Sequence, residues 1–316
     1  MTGPAVVTLG ESMVRLTASR PGPLAHSATM ALGMGGAESN VAIGLARLGV
    51  DVAWMSRLGA DSGGDLIVRE LLAEGVRVAA VRDPEAPTGL MLKERRTPDT
   101  VSVTYYRSGS AASRMSSEDL DASLIASARM LHLSGITPAL SSSCLEAVRT
   151  AVAIAKDAGV PISLDLNYRR RLWDENDAAA FYGSVMHDVD IVFAGDDEAA
   201  IAAGISAEPR VLAQRLHGMG AETVVIKRGS LGAFVLTDAG VHSVDALPIT
   251  PIDTVGAGDA FVAGYLAEHL SGASPAEALV LAVRTGAFAC LAEGDWEGAP
   301  RRAELGLLSS VDPVIR

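Results

Sequence analysis

The sequence is poor in cysteine, in basic residues and in long apolar runs. Only Cys144 and Cys290 occur among 316 residues, too few for a disulfide framework, so a reducing cytoplasm is the expected location. The formal net charge is −12, which argues against nucleic acid or an anionic membrane as the main partner. The chain lacks the run of about 18 apolar residues that predicts a membrane span, and no signal peptide is predicted.

Several familiar catalytic signatures are also missing. The six histidines form no pair at metal-ligand spacing. The sequence contains no P-loop, nucleophile elbow, zinc-protease helix or dinucleotide-binding glycine pattern after its first strand. These absences argue against a hydrolase, a metalloprotease and a simple dehydrogenase. An apolar content of 49% with 20% charged residues is typical of a folded chain with a sizeable core.

Short apolar strands alternate with helices along most of the chain. Strands are predicted at 5–10, 50–55, 130–133, 161–166, 191–193, 223–227 and 233–237, and helices at 41–48, 66–72, 141–158, 258–270 and 275–291. This order predicts an α/β fold with three α/β/α layers, a mostly parallel sheet and helices on both faces. We expect a single domain over residues 1–316, with ligands bound beyond the carboxyl ends of the strands.

One region breaks this alternation. Residues 88–92 and 101–107 are strand-like and are joined through Thr97-Pro98-Asp99, which predicts a hairpin. The segment 12–33 lacks a helical period and is expected to pair with the hairpin. We therefore predict a small β-sheet lid, formed by approximately 12–35 and 88–110, over one side of the main sheet.

A small-residue turn precedes the helix predicted from 258. Gly256, Ala257 and Gly258 allow backbone amides to approach an anion, and the helix adds its positive N-terminal end. A carboxylate is out of place beside an anion unless it acts there. Asp259 is therefore either a helix cap or a base next to a phosphate.

Two other glycine turns have two interpretations each. Gly35-Gly36 leads to Asn40 and a helix, which suits either close approach of a ligand or a flexible turn with Ser39 or Asn40 as cap. The segment from Lys227 through Gly229 to Gly232 follows a strand. It suits a nucleotide phosphate or ribose, and equally a hairpin turn.

Polar residues follow other strands. Asn167 and Arg169 lie just past a strand end, and an arginine there could bind a carboxylate with two hydrogen bonds. Tyr105 and Arg107, in the predicted lid, could provide a second contact or belong to an ordinary aromatic strand. Glu198 lies at the start of a predicted helix. An acid there can simply favour the helix dipole, or it can act on Mg²⁺ through water.

Together these segments resemble the ribokinase-like (PfkB) family of carbohydrate kinases over roughly residues 4–300. Gly35-Gly36 through Asn40 and Arg47-Leu48-Gly49 resembles the N-terminal signature of the family, and 253–259 resembles its C-terminal signature. The family usually has Asn three residues before the metal-linked acid, whereas this chain has Gly195.

Within the family, the chain is most similar to kinases of 2-keto-3-deoxygluconate. The similarity lies in 35–38, 105–111, 131–138, 165–169 with Leu172-Trp173, and 294–300. It implies substrate contacts from Gly35, Gly36, Asn40, Tyr105, Arg107, Ile136, Arg169 and Asp295. It also implies nucleotide contacts from Asn167, Gly195, Lys227, Gly229 and Gly232, and an anion hole at Gly256, Ala257 and Gly258.

The resemblance implies ATP-dependent phosphorylation of a primary hydroxyl on a sugar acid. Asp259 would be the base, Glu198 would act on Mg²⁺ through water, and Asp253 with neighbouring carbonyls could bind a monovalent cation such as K⁺. Kinases of 5-keto-2-deoxygluconate, fructose or ribose, and a non-catalytic sugar-acid sensor, remain alternatives. By analogy with the family, a homo-oligomer through the lid is expected.

Overall fold

The computed structural model describes residues 3–97 and 100–309. The strands are β1 (Val6–Leu9), β2 (Met13–Ala18), β3 (Met30–Gly35), β4 (Val52–Gly59), β5 (Arg77–Asp83), β6 (Leu90–Thr97), β7 (Thr100–Tyr106), β8 (Met130–Ser134), β9 (Ile162–Asp165), β10 (Ile191–Gly195), β11 (Thr223–Lys227), β12 (Ala233–Thr237) and β13 (Gly240–Val244). The α-helices are α1 (Ala37–Arg47), α2 (Ser62–Ala73), α3 (Ala122–Ala126), α4 (Ser142–Asp157), α5 (Glu175–Val185), α6 (Asp196–Ala203), α7 (Pro209–Gly218), α8 (Ala257–Leu270) and α9 (Pro275–Ala289).

Nine strands form the large sheet, in the order β13-β12-β11-β10-β9-β8-β1-β4-β5. All neighbours are parallel except β11-β12 and β12-β13. Adjacent residues of β1 face opposite sides, since Val6 belongs to one buried apolar cluster and Val7 to the other. Both faces of the sheet are therefore covered, as parallel strands require. The predicted three-layer α/β/α architecture is confirmed.

The remaining four strands form a separate sheet, called the small sheet, in the order β3-β2-β6-β7. The predicted hairpin is present as the antiparallel pair β6-β7, while Pro98 and Asp99 of its turn lie outside the described residues. The segment 12–33 pairs with it through β2, which runs parallel to β6. Met91 and Lys93 alternate with Leu92 along β6 and are both buried on the side facing the large sheet.

The described helices include none with the length and apolar character needed to span a bilayer.

Candidate active site

A cavity of about 920 Å³ opens between the carboxyl end of the large sheet and the small sheet. Most of the predicted site residues line it: Gly36, Asn40, Tyr105, Arg107, Ile136, Asn167, Arg169, Gly195, Glu198, Lys227, Gly229, Gly256, Gly258, Asp259 and Asp295. Ala257 and Gly232 line an adjoining cavity instead. Gly35 lies behind Asp295, and a Cβ on Gly35 would overlap the carboxylate of Asp295.

The small-residue turn occupies the start of α8. Gly256 is the N-cap residue and has a φ of 77°, in the left-handed region that favours glycine. A Cβ at this position would overlap the carbonyl oxygen of Asp295. The turn thus depends on glycine for both its conformation and its packing. It presents the N-terminal end of α8 to the cavity, where helix N–H groups lack intrahelical partners.

Asp259 is half-buried and does not act as the helix cap. Its Oδ2 accepts a hydrogen bond of 2.7 Å from Nδ2 of Asn40. The same Asn40 accepts a hydrogen bond of 3.3 Å from the N–H of Gly36 through its Oδ1. One amide therefore joins the glycine turn before α1 to the carboxylate at the start of α8. Burial raises the pKa of Asp259 to about 7, although the hydrogen bond from Asn40 and the charge of Lys227 oppose the rise.

Lys227 and Asp165 form an ion pair on the large-sheet wall of the cavity, at the ends of two strands of that sheet. The Nζ of Lys227 lies 2.7 Å and 2.8 Å from the two carboxylate oxygens of Asp165. Burial opposes the charge of Lys227, but Asp165 outweighs it and the pKa of Lys227 is raised. Gly229 and Gly232 form the turn of the β11-β12 hairpin, with φ of 55° and 84°. The hairpin interpretation is thus confirmed for this segment, and Gly229 also lines the main cavity.

The acidic end of this wall is built around Glu198. Its carboxylate accepts hydrogen bonds from the N–H of Gly195 at 2.7 Å and of Tyr168 at 3.0 Å. Neighbouring Asp196 has a buried oxygen, Oδ1, without a hydrogen-bond partner in the described residues. Asn167 has a φ of 39°, a strained conformation for a non-glycine residue that is common at functional sites.

These acids fit a hydrated Mg²⁺ and do not form a complete protein cage for it. Within residues 3–97 and 100–309, no three His, Cys, Asp or Glu side chains cluster as metal ligands would. Mg²⁺ usually keeps several waters and binds through one or two carboxylates together with phosphate oxygens. Glu198 and the unpartnered Oδ1 of Asp196 are suited to such water-mediated contacts.

Arginines gather at the opposite side of the cavity. Arg107 is ion-paired with the buried carboxylate of Glu11, with its Nε 2.7 Å from Oε2, so it is held in place by the protein. Arg169 is exposed, and its side chain donates to the backbone carbonyl of Tyr168 at 3.1 Å. Arg107 and Arg169 also line a neighbouring cleft together with Arg170 and Arg171. Positive charge is therefore concentrated locally in an acidic protein.

Sequence reasoning missed an apolar cavity of about 650 Å³ beside the glycine turn at the start of α8. It shares Lys227, Gly229, Ser230, Thr254 and Gly258 with the main cavity. Its apolar walls include Leu247, Ile249, Phe261, Val283 and Ala287. These residues come from a loop and two helices and have no common motif, so only the apolar stretch 246–249 could have pointed to the cavity.

The fold and the site are those expected of an α/β phosphotransferase, with a carboxylate beside the glycine turn at the start of a helix. The sequence profile of the pfkB family carbohydrate kinases matches residues 4–302, and the chain belongs to this family of ATP-dependent sugar kinases. It is 37% identical over 307 residues to the 2-dehydro-3-deoxygluconokinase of Thermoproteus tenax, covering 95% of this chain and 93% of that one.

Two further similarities extend over nearly the whole chain. The 2-dehydro-3-deoxygluconokinase of Bacillus subtilis is 36% identical over 313 residues, or 98% of this chain and 96% of that one. A protein from E. coli described as a ribokinase II, solved with ATP and Mg²⁺, superposes with a TM-score of 0.90 at 26% identity. That superposition covers 97% of this chain and 99% of the other.

Proposed function

We propose that this kinase transfers the γ-phosphate of ATP to the primary hydroxyl of 2-keto-3-deoxygluconate (2-dehydro-3-deoxygluconate), giving 2-keto-3-deoxy-6-phosphogluconate. One observation carries the proposal: a single cavity joins Asp259 and its glycine turn to the arginines Arg107 and Arg169. The 36–37% identity to two 2-dehydro-3-deoxygluconokinases supports the same substrate.

Asp259 is the general base of the reaction. Its carboxylate accepts the hydroxyl proton as the sugar oxygen bonds to the γ-phosphorus, while the bond to the bridging oxygen of ADP breaks. A pKa of about 7 suits a base acting near neutral pH, and such assistance is typically worth ~10²–10⁴-fold in rate. Gly256, Ala257 and Gly258 form the anion hole, whose N–H groups and helix end stabilise charge on the transferred group.

The nucleotide lies along the wall formed by β9, β10 and β11. Lys227, Asn167, Gly195 and Gly229 contact its phosphates and ribose, and Gly232 lies at the adjoining apolar cavity, which accommodates the base. Glu198 would hold Mg²⁺ through water, with Asp196 as a second contact. When bound, Mg²⁺ neutralises phosphate charge.

The sugar acid lies between α1 and the small sheet. Arg107 and Arg169 bind its carboxylate through charge-assisted hydrogen bonds. Gly35, Gly36, Asn40, Tyr105, Ile136 and Asp295 surround the remainder of the sugar. The small sheet, from approximately 12–35 and 88–110 within one domain of 1–316, acts as a lid that excludes water and limits ATP hydrolysis.

The outer surface of the small sheet supports self-association. Leu32 and Tyr106 are 63% and 62% exposed there, and paired lids would cover them. Light scattering on the purified protein tests this, with Leu32→Glu expected to reduce the assembled mass.

A cytoplasmic location is part of the proposal, in keeping with two buried free thiols, Cys144 and Cys290.

The decisive experiment is a substrate panel with ATP and Mg²⁺, read as ADP formation and as product mass. The panel contains 2-keto-3-deoxygluconate, its galactonate epimer, 5-keto-2-deoxygluconate, fructose and ribose. We expect the highest kcat/KM with 2-keto-3-deoxygluconate. Preference for fructose or ribose would overturn the assignment of a sugar acid, and binding without turnover would indicate a sensor.

A further inference from the structure

A lysine of the small sheet reaches the segment that precedes the anion-binding turn. Lys93, on β6, is only 4% exposed. Its Nζ lies 2.6 Å from Oδ2 of Asp253 and 3.6 Å from Oδ1 of Asp295. Asp253 begins the stretch that ends in Asp259, and Asp295 lines the main cavity. The contact therefore connects the small sheet with the phosphate-transfer machinery.

The other oxygen atoms around Asp253 are also engaged. Its Oδ1 accepts the N–H of Val255 at 3.2 Å, and its Oδ2 accepts the N–H of Gly294 at 3.3 Å. The carbonyl of Ile252 accepts a bond of 3.3 Å from Arg95. The carbonyl of Cys290 accepts the N–H groups of both Ile252 and Asp253.

This arrangement does not fit a monovalent metal ion bound at Asp253. A K⁺ site needs several oxygens that replace the hydration shell of the ion, whereas these oxygens already accept hydrogen bonds. A second cation on the carboxylate would also be repelled by the ammonium of Lys93. Burial tends to raise the pKa of Asp253, but Lys93 and the two N–H donors reverse this, and the pKa is lowered. The carboxylate is thus charged and paired without a metal.

We propose that the ammonium of Lys93 takes the place of a monovalent cation at Asp253, so that this kinase needs no K⁺. Lys93 is a positioning residue: it acts through Asp253 on the turn 253–258 and makes the turn depend on the small sheet. The inference rests on the proposed kinase function. It adds that the ammonium of Lys93 holds Asp253 and the turn 253–258 in position.

The first test measures kcat of the wild type in chloride salts of K⁺, Na⁺ and tetramethylammonium at equal ionic strength, using whichever sugar the panel identifies. We expect the same kcat in all three salts. Specific stimulation by K⁺ would overturn the proposal.

The second test uses Lys93→Met, which keeps the length of the side chain and removes its charge. Removing one partner of a buried ion pair is strongly destabilising. Because Asp253 then holds the turn 253–258 less firmly, we expect kcat in tetramethylammonium to fall roughly tenfold or more, which corresponds to about 1.4 kcal/mol or more. Because the variant lacks the ammonium that repels a second cation, K⁺ should restore part of this loss and raise the Tm of the variant, but not that of the wild type. Full activity without K⁺, or a loss that K⁺ does not rescue, would refute the proposal.

The matched control is Arg96→Met, on the same strand, whose side chain is exposed. It should show no response to K⁺. Thermal stability requires no substrate, so the Tm series remains decisive even if the proposed sugar is wrong. If Lys93→Met does not fold, the salt dependence of the wild type decides: stimulation refutes the proposal and its absence supports it.

Discussion

The two walls of the cavity are built in different ways. On the large-sheet wall, Asp259, Lys227 and the glycines around 256 lie at strand ends and at a helix start, where the backbone itself provides donors. On the small-sheet wall, Arg15, Lys93 and Arg107 are long side chains held by ion pairs with Asp295, Asp253 and Glu11. The donors on the large-sheet wall therefore come mainly from local backbone geometry, whereas the small-sheet wall depends on ion pairs between distant parts of the chain.

The contrast between the two walls is tested most strongly by removing the proposed base, Asp259, from the large-sheet wall. Asp259→Asn keeps the size of the side chain and abolishes its basicity, so kcat should fall ~10²–10⁴-fold for every sugar accepted. Steady-state kinetics and a thermal melt measure this, with unchanged Tm as the control for folding. Turnover near that of the wild type would show that another group takes the proton.

Arg169 lies at the border of the two walls and should affect selection rather than transfer. A hydrogen bond to a charged group is worth roughly 1.5–3 kcal/mol, so Arg169→Ala should lower kcat/KM for sugar acids about 10–100-fold and leave neutral sugars nearly unchanged. Arg170→Ala is the matched control, because Arg170 is 82% exposed and pairs with Glu175 on the surface. Equal losses on acid and neutral sugars would mean that Arg169 does not bind the carboxylate.

The pH dependence tests how α1 tunes the base. Since Asp259 must be deprotonated and its pKa is raised to about 7, kcat/KM should rise with pH and level off above that value. The hydrogen bond from Asn40 stabilises the charged carboxylate. Asn40→Ala should therefore move the rising limb to higher pH, as measured by a pH–rate profile. A limb near pH 4, close to the ordinary pKa of a carboxyl group, would contradict the account.

The smallest effect is expected at Gly195, where the family usually has Asn. Gly195 has a φ of −78°, and a Cβ there would lie 3.6 Å from Oε2 of Glu198, so another residue can be accommodated. Gly195→Asn should lower KM for ATP a few-fold through one added hydrogen bond, worth about 0.5–1.5 kcal/mol, without changing KM for the sugar. An increase in KM for ATP would show that the glycine is required.

Local signals allowed much of the fold to be predicted. Buried strands such as β10 and β11 contain continuous apolar runs, and α8 and α9 follow clear start signals. The edge strands β5 and β13 were not predicted, because edge strands bury little and their sequences contain polar or charged residues. Their positions depend on tertiary pairing rather than on a local pattern.

The site residues, like the strands, were predictable where the signal is local and not where it depends on tertiary contacts. The glycine turn and Asp259 form a contiguous signal, whereas Lys93 and Asp253 are 160 residues apart. The sequence 90–97 gives no indication of which face of β6 is buried, and both Arg15 and Lys93 were missed. The roles assigned to individual site residues stay predictions until the variants are measured.

The most direct test of the account is the ratio of kcat/KM for 2-keto-3-deoxygluconate to that for fructose, measured with the wild type at saturating ATP and Mg²⁺. Two arginines that contact a carboxylate predict a ratio on the order of 100 or more in favour of the acid. A ratio of one or less would contradict the claim that the arginine side of the cavity selects sugar acids.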